Sequence, residues 1–188
     1  MERPLTSLQR ELIIGSLLGD GHLRPHRGKV VFEFLQTARR RFYVEWKHRI
    51  LKDIACPKIY HSKNDREYYK IVTRTHFELM ELYRLFYHKG RKVVPENIKE
   101  LLTPFVIAVW FMDDGSKSRD AVYFNTQGFS LKDQFRLIKA LRKFHLIFNL
   151  NRDGDYYRLR LLKRHNRRFT EIVGPYVLEE FKNKLPTP

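Results

Sequence analysis

The chain has 188 residues, with 37 Lys or Arg against 21 Asp or Glu, and a formal net charge of +16 at pH 7. Its composition of 43% hydrophobic and 14% aromatic residues supports a packed core and excludes a wholly disordered chain. Because the positive charge is spread along the whole chain, we expect an acidic polymer as partner, with nucleic acid the first candidate and an anionic membrane surface the second.

Three further features exclude other classes of protein. The longest apolar run, 105–112, is far shorter than a membrane span. The first residues lack the apolar core of a signal peptide. Cys56 is the single cysteine, which excludes a disulfide framework and a cysteine metal cluster. We therefore expect an intracellular protein without membrane segments, in the cytoplasm of a prokaryote or in an organelle.

The first half of the chain predicts the element order α-β-β-α-β-β-α. Apolar residues recur at helical spacing before Asp20 and again, with basic residues, after the strand that contains Gln36. The elements in chain order are a helix ending at Asp20-Gly21, a strand over 30–37, a basic helix over about 39–52, a hairpin turning at Asn64-Asp65 and a helix over about 75–88.

The second half repeats this order with an offset of 94 residues. Residues 13–21 read IIGSLLGDG and residues 107–115 read IAVWFMDDG, so each is an apolar helical run that ends in Asp-Gly. The later elements are a strand over 121–127, a basic helix over about 131–144, a hairpin turning at Asp153-Gly154 and a helix over about 166–181. We expect two domains, 1–98 and 99–188.

Local signals predict the ends of the two apolar helices. Thr103, followed by proline, is a good N-cap for the second helix, and Thr6 or Ser7 is expected to cap the first. Gly21 and Gly115 stand where a helix C-terminus favours a left-handed residue, so we expect a positive φ at both.

Asp20 and Asp114 are the central candidates for chemistry. Each stands at the C-terminal end of an apolar helix, where the helix dipole disfavours a carboxylate, and so each requires a compensating cation. Two such helices packed side by side would bring both carboxylates together, and Mg²⁺ or a similar hard cation would relieve their repulsion. A carboxylate pair that binds divalent metal over a basic surface is typical of phosphodiester cleavage. Alternatively, each Asp-Gly is only a turn after a buried helix, but the repetition in register favours the first interpretation.

These two segments, with 125–127 (NTQ) and 184–186 (KLP), resemble the LAGLIDADG homing endonucleases of the single-chain type that carries both motifs. The resemblance covers nearly the whole chain. It implies an α+β fold of two pseudo-symmetric αββαββα halves packed through the two motif helices, with a saddle of antiparallel β-sheet facing DNA.

The resemblance implies a metal site at the last acidic residue of each motif, Asp20 and Asp114. The preceding residues, Gly19 and Asp113, are included in the expected metal site. We interpret Asp113 as a structural residue or as one that supports the metal ligands, because Gly19 occupies its place in the first repeat.

The resemblance also implies catalytic side chains beside these acids. A basic residue of each half lies near a scissile phosphate in this family, and Lys92 and Lys184 match those positions. Lys92 follows Asp20 by 72 residues and Lys184 follows Asp114 by 70. Two glutamines, Gln36 and Gln127, match polar residues that position water or metal.

In this family the sheet of each half lies along the major groove and reads base pairs. We expect the reading residues among the polar side chains of the hairpins, each of which contacts a base, contacts a phosphate or only adds solubility. In the first half they are Arg24, His26, Arg27, Lys29, Glu33, Tyr60, Ser62, Lys63, Arg66, Tyr68 and Lys70. In the second half they are Lys117, Arg119, Tyr123, Asn125, Asn149, Asn151, Arg152, Tyr156, Arg158 and Arg160.

The expected function is that of a monomeric, site-specific endonuclease. It hydrolyses one phosphodiester on each strand of a long, asymmetric double-stranded DNA target. The expected cofactor is Mg²⁺, with Mn²⁺ able to replace it and Ca²⁺ supporting binding without efficient cleavage. Two other interpretations stay open: a maturase that binds intron RNA with the same fold, and a catalytically inactive DNA-binding regulator. Retention of both acids and both lysines argues against the inactive regulator.

Overall fold

The computed structural model describes residues 3–63 and 66–186. By their contacts the residues form two compact units, one up to Arg84 and one from Leu85 onward. The predicted boundary between residues 98 and 99 lies further along the chain and stays a prediction.

The first unit follows the order αββαββα. Its elements are α1 (Ser7–Leu18), β1 (His22–His26), β2 (Lys29–Thr37), α2 (Arg41–Ile50), β3 (Tyr60–Ser62), β4 (Tyr68–Val72) and most of α3 (Phe77–Phe86). The strands form an antiparallel sheet in the order β1-β2-β4-β3. The turn predicted at Asn64 and Asp65 lies outside the described residues.

The second unit repeats the order αββαββα after a short connecting region. Its elements are β5 (Tyr87–His88), β6 (Arg91–Lys92), α4 (Ile98–Leu101), α5 (Pro104–Asp114), β7 (Gly115–Ser118), β8 (Ala121–Phe124), α6 (Leu131–Leu141), β9 (Phe148–Asp153), β10 (Tyr156–Leu161) and α7 (Asn166–Val173). Strands β5 and β6 pair only with each other, while the other four form an antiparallel sheet in the order β7-β8-β10-β9. The matching strand order confirms the repeat.

The N-terminal ends of both motif helices, α1 and α5, agree with the sequence signals. The Thr6 side chain accepts a hydrogen bond from the Gln9 amide, and the Gln9 side chain accepts one from the Thr6 amide at 3.0 Å, which completes a capping box. Thr103 stands one residue before the proline that begins α5, and its hydroxyl accepts a hydrogen bond from the Val106 amide at 3.1 Å.

The expectation of a positive φ at Gly21 and Gly115 is wrong. Neither glycine is left-handed, and Gly115 is extended with φ −72° and ψ 144°. Each is instead packed too closely for a side chain. A Cβ on Gly21 would lie 2.6 Å from the Ser16 Cβ, and a Cβ on Gly115 would lie 2.3 Å from the Phe111 carbonyl oxygen. The glycines permit close approach of the chain to the last turn of each motif helix.

The last predicted helix is shorter than expected. Helix α7 ends at Val173, and two 3₁₀ segments, Gly174–Tyr176 and Glu179–Lys184, replace the predicted continuation. Pro175 explains the end, because a proline cannot donate the hydrogen bond that continues a helix.

The core of each unit lies between its helices and the inner face of its sheet. In the first unit Phe34 of β2 packs edge-to-face on Tyr43 of α2, with ring centroids 5.5 Å apart. In the second unit Trp110 and Phe111 of α5 pack against Phe124 of β8 at 4.1 and 5.8 Å. Across residues 3–63 and 66–186, no helix combines the length and apolar character required to cross a membrane.

Candidate functional site

Asp20 lies in the turn that joins α1 to β1 and is exposed. Gln36, near the end of β2, is buried on the helix side of the sheet, and its side-chain amide donates a hydrogen bond to the Asp20 carboxylate. Arg40 donates in turn to the carbonyl oxygen of the Gln36 side chain at 3.4 Å. This chain of contacts orients the first motif acid, and it joins two residues that the sequence assigned to one site.

Asp114 is the last residue of α5 and is half-buried. Its main-chain oxygen accepts a hydrogen bond from the Asn125 amide at 3.1 Å, which ties the end of the motif helix to the end of β8. Asp113 is buried, with 5% of its surface exposed, and this suits the structural role expected for it.

Lys184 lies in the 3₁₀ segment at the C-terminal end of the second unit. Its ammonium group donates a hydrogen bond to the Met112 carbonyl oxygen at 3.0 Å and lies 5.0 Å from the centre of the Phe181 ring. Met112 belongs to the last turn of α5, so this lysine and Asp114 occupy the same end of one helix.

Lys92 and Gln127 lie in other surroundings. Lys92 is half-buried in β6, opposite Tyr87, and belongs by its contacts to the second unit. Gln127 donates its side-chain hydrogen bond to the Asp153 carboxylate at 2.8 Å. The two glutamines therefore differ: Gln36 contacts a motif acid, whereas Gln127 contacts an acid at the end of β9.

Each motif acid, taken by itself, is a donor that fits a hard divalent cation. Asp20 and Asp114 offer carboxylate oxygens, which are the ligands that Mg²⁺ prefers. Within the described part of the chain, no three or more His, Cys, Asp or Glu side chains gather closely enough to hold a metal ion by themselves. Mg²⁺ is commonly held by one or two carboxylates with substrate phosphates completing its shell, so a single motif carboxylate is suitable for Mg²⁺ bound together with a phosphate.

Most of the predicted reading residues of the first unit share the outer face of its sheet, the face turned away from the helices. Side chains alternate between the faces of a strand, and the pairing register aligns them across the sheet. The outer positions among the predicted residues are Arg24, His26, Lys29, Glu33, Tyr60, Ser62, Tyr68 and Lys70. Arg27 lies in the turn between β1 and β2, and Lys63 and Arg66 flank the undescribed residues.

A smaller share of the predicted reading residues of the second unit lies on the outer face of its sheet. The outer positions are Tyr123, Asn149, Asn151, Tyr156, Arg158 and Arg160. Lys117 and Arg152 occupy the opposite face, since they pair with Val122 and Tyr157. Arg119 lies in the turn before β8 and Asn125 just after that strand.

Carboxylates hold several of these basic side chains in place. Glu33 binds Arg24 at 2.7 Å and approaches Lys70 at 3.9 Å on the first sheet. On the second sheet Asp153 approaches Arg158 at 3.4 Å, and the Arg158 guanidinium lies 4.3 Å from the centre of the Tyr123 ring. Such contacts restrict the rotamers of long side chains before any ligand arrives.

Other residues of the outer faces were not predicted from the sequence. His22, Leu35 and Thr37 share the face of Glu33, and Asp153 shares that of Arg158. A strict count of alternate positions along β1, β2 and β9 would have included them.

The chain is similar in sequence to a family of DNA endonucleases and to a probable intron-encoded endonuclease. Residues 10–169 match the model of the LAGLIDADG DNA endonuclease family. The cytochrome b mRNA maturase bI2 of Debaryomyces hansenii is 27% identical, over 97% of this chain and 75% of the relative. The maturase of the same name from Saccharomyces cerevisiae is 28% identical, and the chain spans about half of its length (48%). The probable intron-encoded endonuclease 1 of Wickerhamomyces canadensis is 26% identical, over 96% of this chain and 85% of the relative.

Solved structures share the fold. The homing endonuclease I-WcaI, bound to its DNA recognition sequence, matches with a TM-score of 0.89 at 23% identity, covering 100% of this chain and 89% of that one. I-DmoI in complex with DNA and Mn matches with a TM-score of 0.59 at 12% identity, covering 89% and 96%. These likenesses confirm the α+β fold. Because the family model covers most of the chain, and each unit carries a motif helix with an aspartate at its C-terminal end, the chain belongs to the LAGLIDADG DNA endonuclease family.

Proposed function

We propose that this chain is a site-specific endonuclease that hydrolyses one phosphodiester on each strand of a long, asymmetric double-stranded DNA target. The observation that carries the proposal is the repeated arrangement in the two units. In each, a motif helix ends beside an aspartate at the start of a strand, and that strand belongs to a sheet with a polar, largely basic outer face.

Asp20 and Asp114 are proposed to hold divalent cations, with Mg²⁺ the native one, Mn²⁺ a substitute and Ca²⁺ a support for binding only. When bound, such a cation supplies positive charge that offsets the charge developing on the scissile phosphate. The comparison structure of I-DmoI, which contains DNA and Mn, supports this use of metal.

The other side chains of the proposed site orient a motif carboxylate or offset phosphate charge. The Gln36 amide fixes one oxygen of the Asp20 carboxylate, and this leaves the group oriented before substrate arrives. Lys184 carries its ammonium group at the end of α5, where it can offset phosphate charge near Asp114. Lys92 is proposed for a similar role on the strength of its spacing from the first motif.

The outer faces of the sheets are proposed to contact the DNA. Arginine and lysine there bind phosphates or the edge of guanine, while asparagine can pair with adenine. Glu33 and Asp153 contact neighbouring arginines, and these contacts restrict the orientations in which the arginines meet DNA. The I-WcaI structure, bound to its DNA recognition sequence, supports this assignment.

A second candidate function is that of an RNA maturase. It is favoured by the names of two relatives, the cytochrome b mRNA maturases bI2, which align with 97% of this chain. In this case the basic surface binds intron RNA, and the motif acids are dispensable for that binding.

The deciding experiment incubates the purified chain with a supercoiled plasmid that carries the host locus without this reading frame. We expect linear product with Mg²⁺ or Mn²⁺ and binding without cutting in Ca²⁺. The Asp20→Asn variant is the matched control, because it keeps the shape of the side chain and loses its charge. Binding to intron RNA without any DNA cleavage would favour the maturase, and DNA binding without cleavage in either metal would favour the inactive regulator.

A further inference from the structure

Lys47 of α2 is completely buried, with 0% of its surface exposed. Its ammonium group lies 3.5 Å from the centre of the Phe34 ring and 4.6 Å from that of Tyr43. It donates a hydrogen bond to the Ser16 hydroxyl at 2.7 Å. Lysine is almost never fully buried unless its charge has partners, because removing an ammonium group from water is costly. A buried lysine of this kind calls for a role that an apolar residue could not fill.

Ser16 connects Lys47 to the turn that carries Asp20. The Ser16 carbonyl oxygen accepts hydrogen bonds from the amides of Gly19 at 3.0 Å and Gly21 at 2.6 Å. Its hydroxyl donates to the Leu12 carbonyl oxygen at 2.8 Å while it accepts from the ammonium group. Both amides that flank Asp20 are therefore bonded to the residue that Lys47 holds.

The position of Lys47 also answers an electrostatic requirement. Helix α1 has no basic residue in its last turn, yet an aspartate follows it. A cation near the C-terminus of a helix interacts favourably with the helix dipole. The second unit has a comparable feature: α5 has no basic residue in its last turn, and Lys184 donates to the Met112 carbonyl oxygen there, whereas Lys47 donates to the side chain of Ser16. Each motif helix thus receives a lysine from outside itself.

We propose that Lys47 is a positioning residue for Asp20. Its buried ammonium group holds Ser16, fixes the turn of residues 19–21 and supplies positive charge at the C-terminal end of α1. The importance of this turn rests on the proposed function, in which Asp20 binds the divalent cation.

The test measures amide hydrogen exchange and DNA cleavage in the full chain for Lys47→Met. Methionine keeps the length of the side chain and removes the charge. We expect the amides of Gly19 and Gly21 to exchange about tenfold faster or more, while amides earlier in α1 keep their rates. Cleavage should require a higher Mg²⁺ concentration, with DNA affinity in buffer without divalent cations unchanged.

Two further variants complete the test. Ser16→Ala removes the acceptor without adding bulk and should reproduce the turn-specific exchange, including where Lys47→Met folds poorly. Gln9→Met is the matched control, because Gln9 is buried at the other end of α1 and donates to the Ile50 carbonyl oxygen at 3.1 Å. It should leave exchange at the turn unchanged.

Two results would overturn the proposal: exchange at the turn that Lys47→Met leaves unchanged, or a uniform increase along α1 that Gln9→Met matches. Hydrogen exchange does not depend on cleavage. A wild-type chain that never cuts DNA therefore contradicts the proposed function, while the exchange data still decide whether Lys47 fixes the turn.

Discussion

Asp20 and Asp114 occupy equivalent places in the repeat but not identical surroundings. Asp20 is exposed in a turn after its helix and is bonded to Gln36, whereas Asp114 is half-buried as the last residue of its own helix. The repeat therefore preserves the place of each motif acid along the chain but not the contacts that surround it.

The motif acids should be required for chemistry but not for DNA binding. We expect Asp20→Asn and Asp114→Asn each to reduce cleavage of both strands by about a hundredfold or more, because the metal supplies several kcal/mol of charge stabilisation. Target affinity in buffer without divalent cations should stay near that of the wild type, since the phosphate contacts remain. Strand-labelled substrates measure both cuts. Clean double-strand breaks at the wild-type rate in either variant would exclude its acid from the metal site.

The two lysines should act on separate strands. We expect Lys92→Met and Lys184→Met each to slow one cut by about a hundredfold relative to the other, because each removes one charge that offsets phosphate charge in the transition state. Nicked plasmid should accumulate, with opposite strands nicked in the two variants. By their contacts both lysines lie in the second compact unit, so the assignment of Lys92 to a separate strand rests on its spacing from the first motif. Equal slowing of both strands by each variant would disprove one lysine per strand.

Sequence patterns indicated candidate residues for the site better than they indicated the contacts that these residues make. Gln36 was assigned to the site of Asp20, and a contact joins them. Lys47 escaped notice, because a lysine in an amphipathic helix is by default a surface charge, and its burial results from packing between α1, α2 and β2. Tertiary packing of this kind leaves no mark on local periodicity.

At the scale of elements, the order αββαββα was predictable in both units because helical and alternating patterns are local properties of the sequence. Strands β5 and β6 were not predicted, since a strand of two residues carries no periodic signal. The glycines after the motif helices were correctly placed at helix ends. The predicted positive φ was wrong, because the conformation of these glycines depends on contact with the preceding turn.

Close packing at these glycines leads to a stability prediction. Gly21→Ala and Gly115→Ala should each destabilise the protein by about 1–3 kcal/mol, as expected for overpacking, because the new Cβ would clash with Ser16 or with Phe111. The matched control is Gly128→Ala, whose Cβ would have no heavy atom within 4 Å. Urea denaturation midpoints measure the difference. A Gly115→Ala variant as stable as Gly128→Ala would show that the helix end relaxes to admit a methyl group.

At the scale of the whole molecule, the net charge of +16 predicts strongly salt-dependent DNA binding. Each neutralised phosphate releases condensed counterions. A protein that contacts 6–10 phosphates should therefore lose about 10³–10⁵ in affinity when the salt concentration rises from 50 to 200 mM. Fluorescence anisotropy with target and unrelated duplexes measures the two slopes, and the specific part should weaken less than the nonspecific part. A nearly flat dependence would mean that the basic outer faces do not contact the phosphates.

The alternation of side chains along β2 separates positions that face the core from exposed positions on the outer face. Val30, Phe32 and Phe34 serve the core, while Lys29 and Glu33 lie on the outer face. Substitutions at the exposed outer positions are therefore expected to leave folding intact, and under the proposed function they would change the target sequence one half at a time. A library randomised only at the exposed outward positions of one sheet should yield mostly folded proteins, so altered specificity can be sought there without prior stabilisation.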